Sequence, residues 1–482
     1  MYEAVIGLEI HAQLLTVSKL FCGCATLAAA EPNSRTCPVC LGLPGALPVL
    51  NAAAVDQGIT AALALGCAIN PVSVFARKNY FYPDLPKGYQ ITQYDQPLAV
   101  DGRLAWTRRG HACAVRIVRV HLEEDAGKSM HEGGVDSAFV TRVDYNRSGV
   151  PLVEVVTAPD LRSADDAAEC FRQLRAMLVE AGVSDGNLEE GSLRCDANVS
   201  VRRFGDPALG EKTEIKNLNS FRFVQRAIAY EVTRQTALIE QGGHVDTATL
   251  QWDDRLDVTV SMRTKEDARE YRYFPEPDLP PLVVAPERIA ARRARLPEWP
   301  EARRARLQSS FGLTEDDAGL LAASSSLAAF FEHVVGEGAG SAAAMQWIKG
   351  ELLRRLHETG QAFERVPMSA AALARLIRLV TDEVLSVSSA KVVFAHMFNT
   401  GEDPDGIVDR LALALVSDPA VVATWIDAAI AQNRKAVAQY REGRRGALGF
   451  LVGHAMKESG GRANPRVLDT LLRQRLDAAG DV

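Results

Sequence analysis

No uninterrupted apolar run in the 482 residues is long enough to cross a bilayer, and the N-terminus lacks the basic region, apolar stretch and small-residue cleavage site of a signal peptide. A membrane span and a secretory leader are therefore not expected, and the reading is of a cytoplasmic protein. There is no Gly-x4-Gly-Lys-Ser/Thr phosphate loop and no Gly-x-Gly-x-x-Gly dinucleotide turn. Any nucleotide has to be held by side chains and metal. No Gly-flanked serine nucleophile is present, and Ser324-Ser325-Ser326 lies in an Ala-rich helical stretch. Hydrolysis through a nucleophile of its own is thus not expected of this chain. Excess positive charge is also lacking: a net charge of -7 argues against diffuse nucleic-acid binding.

What is present is a globular composition, 47% apolar and 24% charged, in a chain too long for one hydrophobic core. Up to about Leu282 the segments are short and alternating, with turn-rich connections and most of the Pro and aromatic residues. Beyond, Ala, Leu and Arg dominate, with helical spacing in Ala343 to Leu356, Ala371 to Val380 and Arg410 to Val416. Pro275, Pro277, Pro280, Pro281 and Pro286 punctuate the change. The reading is an α+β body followed by an all-helical C-terminal half. Helices are expected over Ala164 to Glu180, and from the N-cap Ser220 through Tyr230 to Ile239 with Gly242-Gly243 ending it. Asn146-Arg147-Ser148-Gly149 reads as a hairpin turn.

The alternating segments carry the chemistry. A strand over Val5 to Gln13 puts Glu9, His11 and Gln13 on one face and Leu8, Ile10 and Ala12 on the other. Arg194, Asp196, Asn198, Ser200 and Arg202 alternate with apolar residues from Leu193 to Val201. Glu214 and Lys216 share a side, and Glu154 shares one with Leu152 and Val156. Val115 to Leu122 runs as a strand directly into Glu123-Glu124-Asp125-Ala126-Gly127-Lys128. If these strands share a sheet, its polar face is a carboxylate-rich floor that also holds imidazole, amide and cationic groups. Such a floor suits a divalent cation and a phosphorylated substrate; the alternative is an ordinary solvated sheet face. Two similar Pro-stiffened aromatic segments, Tyr80 to Pro86 and Tyr273 to Pro280, follow basic residues (Arg77 and Lys78; Arg272) and read as loops, either at the rim of a site or sealing a core edge.

Cys22-Gly23-Cys24 and Cys37-Pro38-Val39-Cys40 supply four thiolates in two close pairs, the pattern of a closed structural zinc knuckle. Cys67, Cys113, Cys170 and Cys195 lack such spacing and read as packing residues. Ten Lys and Arg face five acids between Ala431 and Val482, so a basic tail on an acidic body could hold a phosphate backbone locally. On the residues alone, a zinc-containing nucleic-acid-binding protein and an ATP-dependent ligase of a small carboxylic acid remain alternatives. The first leaves the floor unexplained and the second the tail.

Taken together, Val5 to His11, Arg77 to Asp84, His121 to Lys128, Glu190 to Asn198, Lys216 to Phe221, Tyr271 to Asp278, Gly449 to Gly453 and Ala463-Asn464-Pro465 resemble the B subunits of the glutamyl/aspartyl-tRNA amidotransferases. The likeness spans residues 5 to 465. It implies a mainly antiparallel-sheet cradle domain over 1–292 with the knuckle near 22–40, a helical domain over 293–404 and a small helical tail over 405–482. It also implies ATP- and Mg2+-dependent conversion of Glu-tRNA(Gln) or Asp-tRNA(Asn) to the amide, through an acyl phosphate. Ammonia would come from a partner amidase, the glutaminase of the complex, with a small third protein that braces the pair.

On that resemblance Glu9, His11, Glu124 and Glu154 are expected to form a metal-centred catalytic cluster, with Glu123, Asp125 and Glu214 as further candidates and His11 a weak or water-mediated magnesium ligand. Glu214 and Lys216 are expected to take part in catalysis. Lys128, Arg194 and Lys216 are expected to neutralise phosphate, and Asp196, Asn217 and Asn219 to orient groups. Tyr80, Tyr82 and Arg272 are expected at the substrate or ATP. The zinc would be structural, on Cys22, Cys24, Cys37 and Cys40. Arg434, Lys435, Arg441, Arg444, Arg445 and Lys457 are expected to grip tRNA by shape and backbone.

Overall fold

The alternating segments assemble into one nine-stranded sheet. In chain order its strands are β1 (Tyr2–Gln13), β2 (Ala68–Ile69), β3 (Ala99–Arg108), β4 (His111–Glu124), β5 (Pro151–Thr157), β6 (Leu193–Arg203), β7 (Thr213–Leu218), β8 (Ala248–Asp253) and β9 (Val258–Arg263). They lie side by side as β9-β8-β7-β6-β1-β5-β4-β3-β2, every adjacent pair antiparallel except β7 with β8. This computed structural model describes residues 1–26, 30–108, 111–130, 141–263, 271–444 and 446–478.

One sheet face is apolar because alternate residues of every central strand are. Leu8, Ile10, Ala12, Leu122, Val153, Val155, Cys195, Ala197 and Val199 are all buried. They join one core with residues of three helices, α1 (Ala52–Ala64), α2 (Ala164–Glu180) and α3 (Phe221–Glu240), among them Ile59, Phe171, Leu174 and Ile228. Each such large side chain contributes about 1.5–3 kcal/mol on burial. The helices start where capping chemistry allows: Asn51, Ser163 and Ser220 each accept a hydrogen bond from a first-turn N–H. With the helices on one side, the other face of the central strands is left for chemistry. A second sheet, of Phe75–Asn79 between Tyr89–Gln93 and Phe274–Pro275, brings further residues to that face.

Two local expectations need correction. Asn146 to Gly149 is a turn but joins no hairpin: Arg142–Asp144 before it pairs with Lys128–Met130, whereas β5 after it pairs with β1 and β4. The helix expected over Arg410 to Val416 instead occupies Pro404–Arg410, where Asp403 caps it and Pro404 starts it. Ala412 then takes a left-handed backbone at φ 51°, which ends the run.

The chain divides into two compact units, Met1–Pro297 and Glu298–Val482. The second is helical and holds two hydrophobic cores, one including Leu307, Phe331, Trp347, Leu373 and Phe394, the other Val422, Ile426, Leu451, Leu468 and Leu472. Among the described residues no single helix is long and apolar enough to cross a membrane.

Candidate functional site

Register across the sheet gathers the polar residues into rows. Arg194, His11, Glu154 and His121 stand opposite one another on β6, β1, β5 and β4. The next row carries Asp196, Glu9 and Arg119, with Val156 between the last two, and Asn198 faces Glu214 beyond. All of these but Arg194 and Val156 line a cavity of about 330 Å3, walled on the other side by Lys78, Tyr94, Tyr271 and Tyr273.

At the centre, His11 Nε2 lies 3.1 Å from Glu154 Oε2 and 3.5 Å from Glu123 Oε1. His121 Nε2 lies 3.3 Å and 3.6 Å from the same two carboxylates. Burial opposes charge on both imidazoles, but Glu154 and Glu123 outweigh it, raising His11 above its ordinary range and holding His121 up to about 9. Burial likewise opposes ionisation of Glu154, yet the two imidazoles keep it well below the carboxylate range. Glu9 is different. Burial, followed by repulsion from Glu154 and Glu214, raises its carboxyl, with one hydrogen bond of 2.9 Å from Asn198 Nδ2.

His11, Glu123 and Glu154 can each offer a ligand atom, all within 4.8 Å of one another, a donor set able to hold a divalent cation. Thr92 Oγ1 orients Glu123 by donating to it at 3.1 Å. Further along the floor, Lys216 Nζ bridges Asp196 at 2.8 Å and Glu214 at 2.7 Å, and Thr249 donates to Glu214 at 3.2 Å.

Most of the expected cluster is thus brought together: Glu9, His11, Glu154, Asp196, Glu214 and Lys216 line one cavity. Glu124 does not. Strand β4 continues past Leu122 to Glu124, so alternation places Glu123 with His121 and sends Glu124 to the opposite face. There Glu124 is buried against Lys87 and accepts from the Ile91 N–H at 2.9 Å. Arg194 lies in the central row but is held by Asp125 at 2.8 Å, which also accepts from Gln13 Nε2 at 2.9 Å. Lys128, past the turn that ends β4, is exposed, and Lys128, Tyr82 and Asn219 do not line the cavity. Tyr80 approaches it indirectly, 5.8 Å from Tyr271. Arg272 contributes backbone: its carbonyl accepts from Asn79 Nδ2 at 2.9 Å, and its φ of 45° lies in the left-handed region. The side chain of Asn217 lies outside the described residues.

Sequence reasoning assigned no role to Lys78, His121, Arg119 or Lys212, which also line the cavity. His121 was detectable, since it shares strand parity with Glu123. Lys78 carried no such signal, because it arrives from the separate three-stranded sheet.

The four knuckle cysteines converge, their Sγ atoms all within 4.8 Å of one another. Cys40 Sγ accepts from the Cys37 N–H at 3.2 Å. A hydrogen bond from Cys22 pulls Cys40 down to about 4, and the Cys37 N–H and Lys19 add to it, which favours a thiolate there. Lys19 is fully buried, its ammonium 2.9 Å from the Arg35 carbonyl and 3.6 Å from Cys40 Sγ. This donor set fits tetrahedral Zn2+.

In the second unit, Arg434, Lys435, Arg441, Arg444 and Lys457 are exposed, and none has an ion-pair partner among the described residues. Nearby arginines differ, Arg473 being paired with Asp469 and Arg475 with Asp427. Arg434 and Arg441 also line a shallow groove with Ile430 and Val437. Arg445 lies outside the described residues.

Residues 4–290 match the GatB/GatE catalytic domain and residues 329–476 the GatB domain. The chain is 51% identical over 479 residues to the B subunit of the aspartyl/glutamyl-tRNA(Asn/Gln) amidotransferase of Anaeromyxobacter dehalogenans strain 2CP-1, covering 98% of this chain and 99% of the relative. It is 49% identical over 475 residues to the protein of that name from Myxococcus xanthus, covering 98% of each. With Carboxydothermus hydrogenoformans the identity is 47% over 475 residues, 98% of this chain and 99% of the relative. By matches of this length and identity, the chain belongs to the family of aspartyl/glutamyl-tRNA(Asn/Gln) amidotransferase B subunits.

Proposed function

We propose that this chain activates and amidates the side-chain carboxylate of misacylated Glu-tRNA(Gln), Asp-tRNA(Asn) or both, within a complex that includes a glutaminase partner and a small third protein. The observation that carries the reading is the joining of His11, Glu123 and Glu154 with cationic and amide side chains in one cavity of a family member. A carboxylate is a poor electrophile because oxide would have to leave. Its oxygen therefore attacks the γ-phosphorus of ATP, the bond from that phosphorus to the bridging oxygen breaks, and ADP departs with the electron pair. Ammonia from the partner then adds to the acyl carbon, the carbon–oxygen bond to phosphate breaks, and phosphate leaves.

The chain's own residues suit these steps. His11, Glu123 and Glu154 would hold Mg2+. When bound, the ion supplies charge neutralisation between the substrate carboxylate and the triphosphate. Lys216, held between Asp196 and Glu214, adds fixed positive charge beside Glu9. Glu9, whose carboxyl is raised by burial, suits the proton that ammonium must lose. Zn2+ on Cys22, Cys24, Cys37 and Cys40 would be structural, since four protein ligands leave no open position.

The test is reconstitution with the glutaminase partner and each misacylated tRNA, trapping the acyl phosphate with hydroxylamine. Hydroxamate and amide should form with ATP. Undiminished amide formation with a non-hydrolysable β,γ-methylene analogue would rule the phosphoryl route out.

For the tail, the unpaired basic residues suit a phosphate backbone. Arg434→Glu with Arg441→Glu is expected to raise KM for aminoacyl-tRNA by about tenfold or more, flatten its salt dependence and leave kcat nearly unchanged. Steady-state kinetics across a salt series checks this, and an unaltered KM removes the tail from tRNA binding.

A further inference from the structure

We propose that Lys78 is a catalytic cation of this site, its ammonium binding the oxygens of the phosphoryl group as it passes from ATP to the substrate carboxylate. The inference rests on the functional reading above and adds a residue to it.

Two cations expected at the floor are already committed. Lys216 is bound by Asp196 and Glu214, and Arg194 by Asp125. Lys78 is not. It lines the cavity beside His11, Glu123 and Glu154, yet among the described residues it has no ion-pair partner. Its amine instead faces aromatic rings, 4.9 Å from the centre of Tyr271 and 5.8 Å from that of Tyr80. Ring faces attract an ammonium without consuming its hydrogen-bond donors.

The rings are themselves held. Asn79, next in the strand, donates its N–H to the Tyr271 carbonyl at 2.9 Å and its amide to Arg272. Tyr273 stacks on Tyr94 with ring centres 4.0 Å apart. Lys78 is therefore aimed into the cavity by a braced wall, as a preorganised electrostatic group has to be.

Charge supplies the remaining argument. Burial opposes the Lys78 charge, and the attraction of Glu123 foremost, with the tyrosines and Glu154, more than offsets it. Glu123 and Glu154 are also the carboxylates suited to a divalent cation. Once that cation takes up their charge, Lys78 has no protein anion in contact, and an anionic ligand is what restores the attraction that holds its proton. In this reaction charge builds on the transferring phosphoryl oxygens as the bond to ADP breaks and that to the carboxylate forms.

The test uses the assembled enzyme with its glutaminase partner, comparing wild type, Lys78→Met and Lys78→Arg. Single-turnover acyl-phosphate formation, trapped as hydroxamate, should fall by about 100-fold or more in Lys78→Met, as when one preorganised stabilising group is removed. KM for aminoacyl-tRNA should move no more than about threefold. Lys78→Arg should recover part of the rate. Mn2+ binding, read by electron paramagnetic resonance, should persist in Lys78→Met. A rate within about threefold of wild type in Lys78→Met overturns the proposal, as does loss of Mn2+ binding, which would make Lys78 a pillar of the pocket. Absence of ATP-dependent hydroxamate in wild type would instead overturn the functional reading itself.

Discussion

Glu123→Gln is expected to reduce ATP-dependent acyl-phosphate formation by at least about 100-fold, because it withdraws one anionic ligand from a three-donor cation site worth several kcal/mol of charge neutralisation. Divalent-cation affinity should fall with it, while the fold survives, since the amide keeps the shape of the carboxylate and can still accept from Thr92. The neighbouring Glu124→Gln should behave differently. Its carboxylate pairs with Lys87, both side chains being buried, so neutralising it leaves an unpaired buried ammonium. The expected cost is about 3–5 kcal/mol of stability. Mn2+ titration of the two variants beside their thermal unfolding separates the effects. Equal loss of metal by both would show that the strand parity argued above does not govern the site. The proton competes for the same ligand. The His11 imidazole is raised above 6.5 by Glu154 and Glu123, so a cation using Nε2 must displace a proton. Affinity should therefore rise with pH above 6.5 until His11 is neutral, and weaken as pH falls.

Cys40→Ser, or removal of zinc by a strong chelator, should produce the second large effect. Metal analysis is expected to give one zinc per wild-type chain and none for Cys40→Ser or Cys37→Ser, and unchanged metal content in Cys37→Ser would refute the site. The energetic consequence follows from what the knuckle braces. Metal binding to a four-thiolate site contributes directly to folding, about 10–16 kcal/mol in isolated zinc peptides, and here it closes a segment whose described residues have little secondary structure of their own. The Cys40 carbonyl accepts from Ser148 Oγ at 3.3 Å, Leu20 donates to the Gly149 carbonyl, and Gly149 donates to Asp125. Asp125 in turn holds Arg194 and Gln13 at the edge of the floor. Loss of zinc should thus open residues 17–48 to proteolysis and lower amidation together. Protease resistance retained by the zinc-free protein would argue against the bracing role.

Several parts of this architecture were legible from residues alone. Glu9, His11 and Gln13, and Arg194, Asp196 and Asn198, fall on one face because a strand's period is two and their intervening neighbours are apolar. Helices α2 and α3 announced themselves through Ser163 and Ser220, and the knuckle through its paired cysteine spacing. These signals are local. They depend on covalent connection over a few residues.

The choice of Glu123 over Glu124 was not local. It depends on how far β4 continues, and the pairing of Glu123 and Glu124 with Leu152 and Pro151 carries the strand past Leu122. Lys78 depends on more still: a second sheet must form, and Tyr271 and Tyr273 must return from nearly two hundred residues away to wall the amine in. By itself, then, the amino-acid order determined which side chains share a face, where helices begin and which thiols cluster. Only tertiary packing decided which acids confront the imidazoles and which cations are paired with them, because electrostatic partnership depends on distance through space, and that distance is set by register between strands remote in the chain.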